Sequence, residues 1–108
     1  MEKFKLSQMT KGWFVGDFEP SILKTKDCEI GVKSYKKGTL ESAHYHKKAQ
    51  EITVIIQGIA RINSIILEAG DIILIKENEI AEFEAIEDVI TVVYKSKSIP
   101  NDKYIVNK

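Results

Sequence analysis

From residue 28 to residue 95 the apolar residues come in short runs with a period of two. "CEIGVKSYK" (28–36) places Cys28, Ile30 and Val32 on one face of an extended strand. "EITVIIQ" (51–57), "IARI" (59–62), "SIILE" (64–68), "DIILI" (71–75) and "VITVVYK" (89–95) are short, Ile/Val-rich and closely spaced. Gly38, Gly58, Gly70 and "KENE" (76–79) separate them. No window carries the longer period of an amphipathic helix. The pattern predicts an all-β antiparallel sandwich or barrel. The stretch 1–27 mixes Trp13, Phe14, Phe18 and Ile22 with Gly16 and Pro20, and reads as an arm with one or two short strands packed onto a body at 28–95. Residues 96–108 read as a loose extension or a final edge strand.

Two strands are apolar on both faces. In 51–57, Ile52, Val54 and Ile56 oppose Thr53 and Ile55; in 89–95, Val89 and Val93 oppose Ile90, Val92 and Tyr94. A solvated face would be polar at every second residue. The arm or a second copy of the chain is expected to cover it, and a homodimer is the expected state.

Length and composition narrow the class. A chain of 108 residues suits one domain with its own core. Its single Cys28 excludes an internal disulfide and a Cys-rich zinc site. Sixteen acidic and sixteen basic residues are interspersed, and Arg61 is the only arginine. No basic stripe points to nucleic acid and no basic amphipathic helix to a membrane surface. "MEKFKLSQMTKGW" lacks the apolar run of a signal peptide, so a cytoplasmic protein is expected.

Both histidines lie in "GTLESAHYHKKAQEITVIIQG" (38–58). On a strand, His44 and His46 project to the same side. "KKAQ" (47–50) reads as a hairpin turn that returns Glu51 across from them. Two imidazoles and one carboxylate form a facial set of ligands for a divalent ion, with positions left open for substrate or oxygen. Ordinary hydrogen bonding of two polar side chains is the alternative. Tyr35 and Trp13 are candidates either for the mouth of a barrel or for simple packing, and Tyr45 for packing. Glu41 and Lys48 read as surface charges, Arg61 as half of a rim salt bridge, and Asp71 as the cap of the turn at Gly70.

The same stretch resembles the first signature motif of the cupin superfamily. Gly38, "TLESA", His44-Tyr45-His46, "KKAQ", Glu51, "ITVIIQ" and Gly58 match every defining position. The second motif is degenerate: Gly70 opens it, Lys76 replaces the proline, Asn78 the glycine, and Ala81 stands where the histidine belongs. The resemblance implies a single cupin-type, jelly-roll-like β-barrel. It also implies His44, His46 and Glu51 as ligands to a divalent Fe, Mn, Ni or Zn ion, with Ala81 unable to supply a fourth. Glu82 or Glu79 is a nearby group that could complete the set, but strand parity turns Glu82 away from that side, so Glu82 would need a bulge to reach the ion. The implied functions are oxygenase, isomerase or related lyase chemistry on a small molecule, or else a sugar-related or other small-ligand-binding barrel without a metal.

Overall fold

A computed structural model describes residues 1–107; Lys108, the end of the expected extension, lies outside them. A short 3-10 turn (Leu6–Gln8) precedes ten strands: β1 (Trp13–Val15), β2 (Glu29–Tyr35), β3 (Leu40–Tyr45), β4 (Glu51–Gln57), β5 (Ile59–Ile62), β6 (Ile65–Glu68), β7 (Ile72–Ile75), β8 (Ala81–Ala85), β9 (Val89–Lys95) and β10 (Tyr104–Ile105). They form two five-stranded sheets, ordered β1-β2-β9-β4-β7 and β10-β3-β8-β5-β6, with every named pair antiparallel. No helix among the described residues is long and apolar enough to cross a membrane.

The alternation sorts each strand into an inner and an outer face. Along β9, Val89, Thr91 and Val93 are buried, whereas Tyr94 is exposed. Ile55, Ile75 and Val89 from the first sheet meet Ala60, Ile62, Leu67, Ala81, Phe83 and Ala85 from the second in one core. This core closes one end of the barrel. Alanines at the directly paired positions 60 and 85 let the larger side chains interdigitate. Gly58, between β4 and β5, has φ +88°, and a Cβ there would lie 2.0 Å from the Asp88 carbonyl oxygen, so only glycine fits this corner.

The segments at either end of the chain join the sheets. β1 pairs with β2, and β10 pairs with β3, placing Tyr104 beside Tyr45. The rings of Tyr45 and Tyr104 stack at 5.3 Å, away from the histidines, so Tyr45 is a packing residue. Because β1 lies at the sheet edge, the arm leaves the outer faces of β4, β7 and β9 uncovered. Ile52, Ile72, Leu74 and Tyr94 are exposed there.

The reading of 47–50 as a hairpin turn is corrected. β3 and β4 belong to different sheets, so this segment is a corner that carries the chain from one wall of the barrel to the other. The Asp102 carboxylate organises it by accepting the backbone N–H groups of Lys47 (3.0 Å), Lys48 (3.1 Å) and Ala49 (3.2 Å). A hairpin would satisfy these donors through its own strand ladder; the corner needs a buried acceptor instead.

Candidate metal centre and ligand cavity

At the end opposite the core the barrel is hollow. A cavity of about 520 Å³ is lined by residues that include His44, His46, Glu51, Ala81, Tyr35 and Trp13. The sequence-predicted set therefore shares one cavity. His44 comes from the end of β3, His46 from the first residue past it, and Glu51 from the start of β4 in the opposite sheet. Glu51 does not face the histidines across a hairpin; its lateral neighbours are Lys95 on β9 and Ile75 on β7.

The imidazoles sit edge to face, with ring centroids 5.3 Å apart. His44 Nδ1 donates to the Ser42 carbonyl oxygen at 2.9 Å, which leaves Nε2 with its lone pair. His46 is buried, and its Nε2 has no hydrogen-bond partner. Burial, aided by the nearby charges of Lys95 and His44, lowers the His46 pKa to about 4, so the ring is neutral at physiological pH. Burial acts on Glu51 in the opposite direction, raising its pKa against the pull of Lys95 and His44.

Among the described residues no three His, Cys, Asp or Glu side chains converge into a ready-made cation cage. The donors fit a divalent transition metal in kind: two imidazoles, one of them neutral with an orphaned buried nitrogen, and a desolvated carboxylate that would gain from a cation. Ala81 pairs directly with His44 and is buried in the cavity wall, where its methyl group offers no ligand. Glu82 is exposed on the other face of β8, as parity required. Glu79 folds back into its own turn, its carboxylate accepting the Lys76 N–H at 2.8 Å.

Several cavity residues escaped the sequence reading. Glu41 is one, and its assignment as a surface charge is corrected. The β3–β8 register runs Glu41↔Phe83 and then His44↔Ala81, so one extra residue is inserted between them. This bulge lets positions 41 and 44, an odd number apart, share the inner face. The Tyr35 hydroxyl is held protonated far above its usual range, first by burial and then by its interaction with Glu41. Tyr35 also packs against Phe83, with ring centroids 4.6 Å apart. Thr53 and Thr91 interrupt strands that are apolar on both faces, so parity alone did not tell which face turns inward; the structure buries both. Lys33, Lys95 and Lys103 carried no local signal. Arg61 forms the expected surface pair with Glu84 at 2.9 Å, and the Asp71 carboxylate closes its turn by accepting the Glu68 N–H at 2.8 Å.

No protein-family model and no curated protein sequence matches the chain. Solved structures do resemble it. An uncharacterized conserved protein with a double-stranded β-helix domain from Klebsiella pneumoniae subsp. pneumoniae MGH 78578 has a TM-score of 0.70 at 22% identity, over 98% of this chain and 92% of that one. Bacillus subtilis oxalate decarboxylase, an enzyme with Mn(II) centres, has a TM-score of 0.66 at 18% identity over 75% of this chain, which spans only 24% of the decarboxylase. A cupin-2 domain containing protein from Shewanella frigidimarina NCIMB 400 has a TM-score of 0.58 at 16% identity, over 70% of this chain and 76% of that one.

Proposed function

We propose that this chain, a double-stranded β-helix of the cupin fold, binds one divalent transition metal through His44, His46 and Glu51 and acts on a small molecule in the cavity they line. The observation that carries the reading is the buried, unpartnered Nε2 of a neutral His46 beside a second imidazole. Burying a polar atom without a partner is unfavourable by about 1–3 kcal/mol, and a ligand removes that penalty. The Ser42 carbonyl orients His44 as a hydrogen-bonded outer group orients a metal-ligating imidazole. When bound, the ion would polarise a substrate oxygen or activate dioxygen, and Fe, Mn, Ni and Zn all suit this donor set. Glu41 is placed to hold the Tyr35 proton inside the cavity, and Ala81 leaves room for a ligand atom beside His44.

The test is metal content after incubation with Mn(II), Fe(II), Ni(II) or Zn(II) and gel filtration at neutral pH. One equivalent is expected for the wild type and none for His46→Ala. Retention should weaken as pH falls toward about 4, where the buried His46 ring takes up a proton and Nε2 loses its lone pair. Wild-type protein that stays metal-free would favour a second reading, a metal-free barrel that binds a small or sugar-like ligand. Ala81 at the fourth-ligand position speaks for that reading.

We further propose that a second copy of the chain covers the outer face of β4, β7 and β9. The exposed side chains there are apolar, so a two-fold pairing would set apolar surface against apolar surface without stranding a charge. Light scattering at micromolar concentration should report a dimer for the wild type and a monomer for Leu74→Glu.

A further inference from the structure

The wall opposite the imidazoles has a chemistry of its own. The register of β2, β9 and β4 sets Lys33, Thr91 and Ile55 in one transverse row, and Glu29, Lys95 and Glu51 in another. Thr91 is 1% exposed, lines the cavity, and its hydroxyl has no partner. It is thus a second orphaned polar group besides His46, on the other sheet. Lys33 lies directly across from it on β2, is half-buried and lines the cavity; its ammonium donates to the Lys11 carbonyl oxygen and keeps two further N–H donors. Desolvation lowers the Lys33 pKa, a sign that its charge lacks full compensation.

Trp13 anchors this wall. Its ring lies on Gly31, where a Cβ would come within 2.7 Å of it, and the ammonium groups of Lys33 and Lys95 each lie 5.1 Å from its centroid. Lys95 is paired with Glu29 at 3.7 Å. Lys11, Lys33, Lys95 and Lys103 line the cavity against the carboxylates Glu41 and Glu51. The cavity is therefore positive before any cation enters, and a buried hydroxyl beside Lys33 is waiting for an acceptor.

We propose that the cavity selects a small organic acid, whose carboxylate is held by the Lys33 ammonium and the Thr91 hydroxyl and whose remaining atoms reach toward His44 and His46. This names the substrate class of the site proposed above and rests on that reading for its catalytic meaning, though not for binding. A carboxylate fits better than a phosphate. The wall offers an ammonium and a hydroxyl but no arginine fork and no helix N-terminus, the usual means of satisfying three phosphate oxygens. The volume suits a small ligand.

Calorimetric titration of chelator-treated full-length protein tests this without metal. The probes are acetate, oxalate, succinate and benzoate, the neutral amides acetamide, succinamide and benzamide, and inorganic phosphate. At least one acid should bind at least about tenfold more tightly than its amide, with affinity falling as salt rises. Lys33→Met should weaken that acid by about tenfold or more, and the near-isosteric Thr91→Val by about threefold to tenfold, with unchanged circular dichroism. Equal affinity for acids and amides, preference for phosphate, binding of none of the acids, or undiminished binding to Lys33→Met would each overturn the assignment. The two readings fail separately: His46→Ala should lose metal yet keep the acid, and Lys33→Met should lose the acid yet keep metal.

Discussion

Val89 and Thr91 lie two residues apart on the inner face of β9, and both are almost completely sealed from water. Val89 belongs to the packed core, whereas the Thr91 hydroxyl faces the cavity without a partner. The same contrast runs around the barrel. Toward one end β4 turns Ile55 inward, and toward the other it turns Thr53 and Glu51. β8 gives the core Ala85, Phe83 and Ala81, and the last two also border the cavity, Ala81 beside His44. One end satisfies its atoms with each other; the other leaves buried polar atoms unmatched. Such unmatched groups lower stability, which is the usual signature of a site built to hold something.

If the two ends divide labour in this way, substitutions at each should differ in sign as well as size. The largest effect is expected at the closed end. Ile55→Ala should destabilise the protein by about 2–5 kcal/mol in urea or thermal unfolding, because the surrounding strands cannot collapse onto the void. A loss well under about 1 kcal/mol would show that this end is not a rigid core.

Next comes the corner between the two walls. Asp102→Ala removes the acceptor of three backbone N–H groups and should destabilise by about 1.5–3 kcal/mol. It should also weaken metal retention, since His46 is the residue entering that corner. Asp102→Asn, which keeps one carbonyl oxygen, should restore part of both. Full metal retention in a destabilised Asp102→Ala protein would separate the corner from the site.

The smallest effects belong to the open end, and there removing a polar group should help. Unfolded, His46 protonates near the ordinary value of 6.5; folded, only near about 4. Across that window the unfolded chain binds more protons, so metal-free protein should lose stability as pH falls from about 6.5 toward 4. His46→Gln should flatten that slope. Glu51 has the opposite sign, because its folded pKa is raised by burial, and ionising it at neutral pH opposes folding. Glu51→Gln should therefore raise metal-free stability at neutral pH by on the order of 1 kcal/mol while abolishing metal retention. If it lowered stability instead, the Glu51 carboxylate would be serving the fold and not the site.

Strand content was legible because a two-residue period over Ile/Val runs has few other solutions. The runs at 51–57, 59–62 and 89–95 coincide with β4, β5 and β9. β8 was harder to read because "AEFEA" buries only two small alanines and one phenylalanine behind outward glutamates. The histidine pair and Glu51 were visible as a motif, and strand parity correctly turned Glu82 away.

What stayed hidden depends on atoms distant in sequence. The bulge that turns Glu41 inward exists only against β8, and the corner at 47–50 is held by Asp102, some fifty residues further on. Lys33, Thr91 and Lys95 became one wall through a register set by three strands and their shared core. Local periodicity decides which side of its own strand a residue faces, since that follows from backbone geometry alone. Which residues then face one another across the hollow end is decided by sheet order, bulges and long-range hydrogen bonds, and these exist only once the chain has folded.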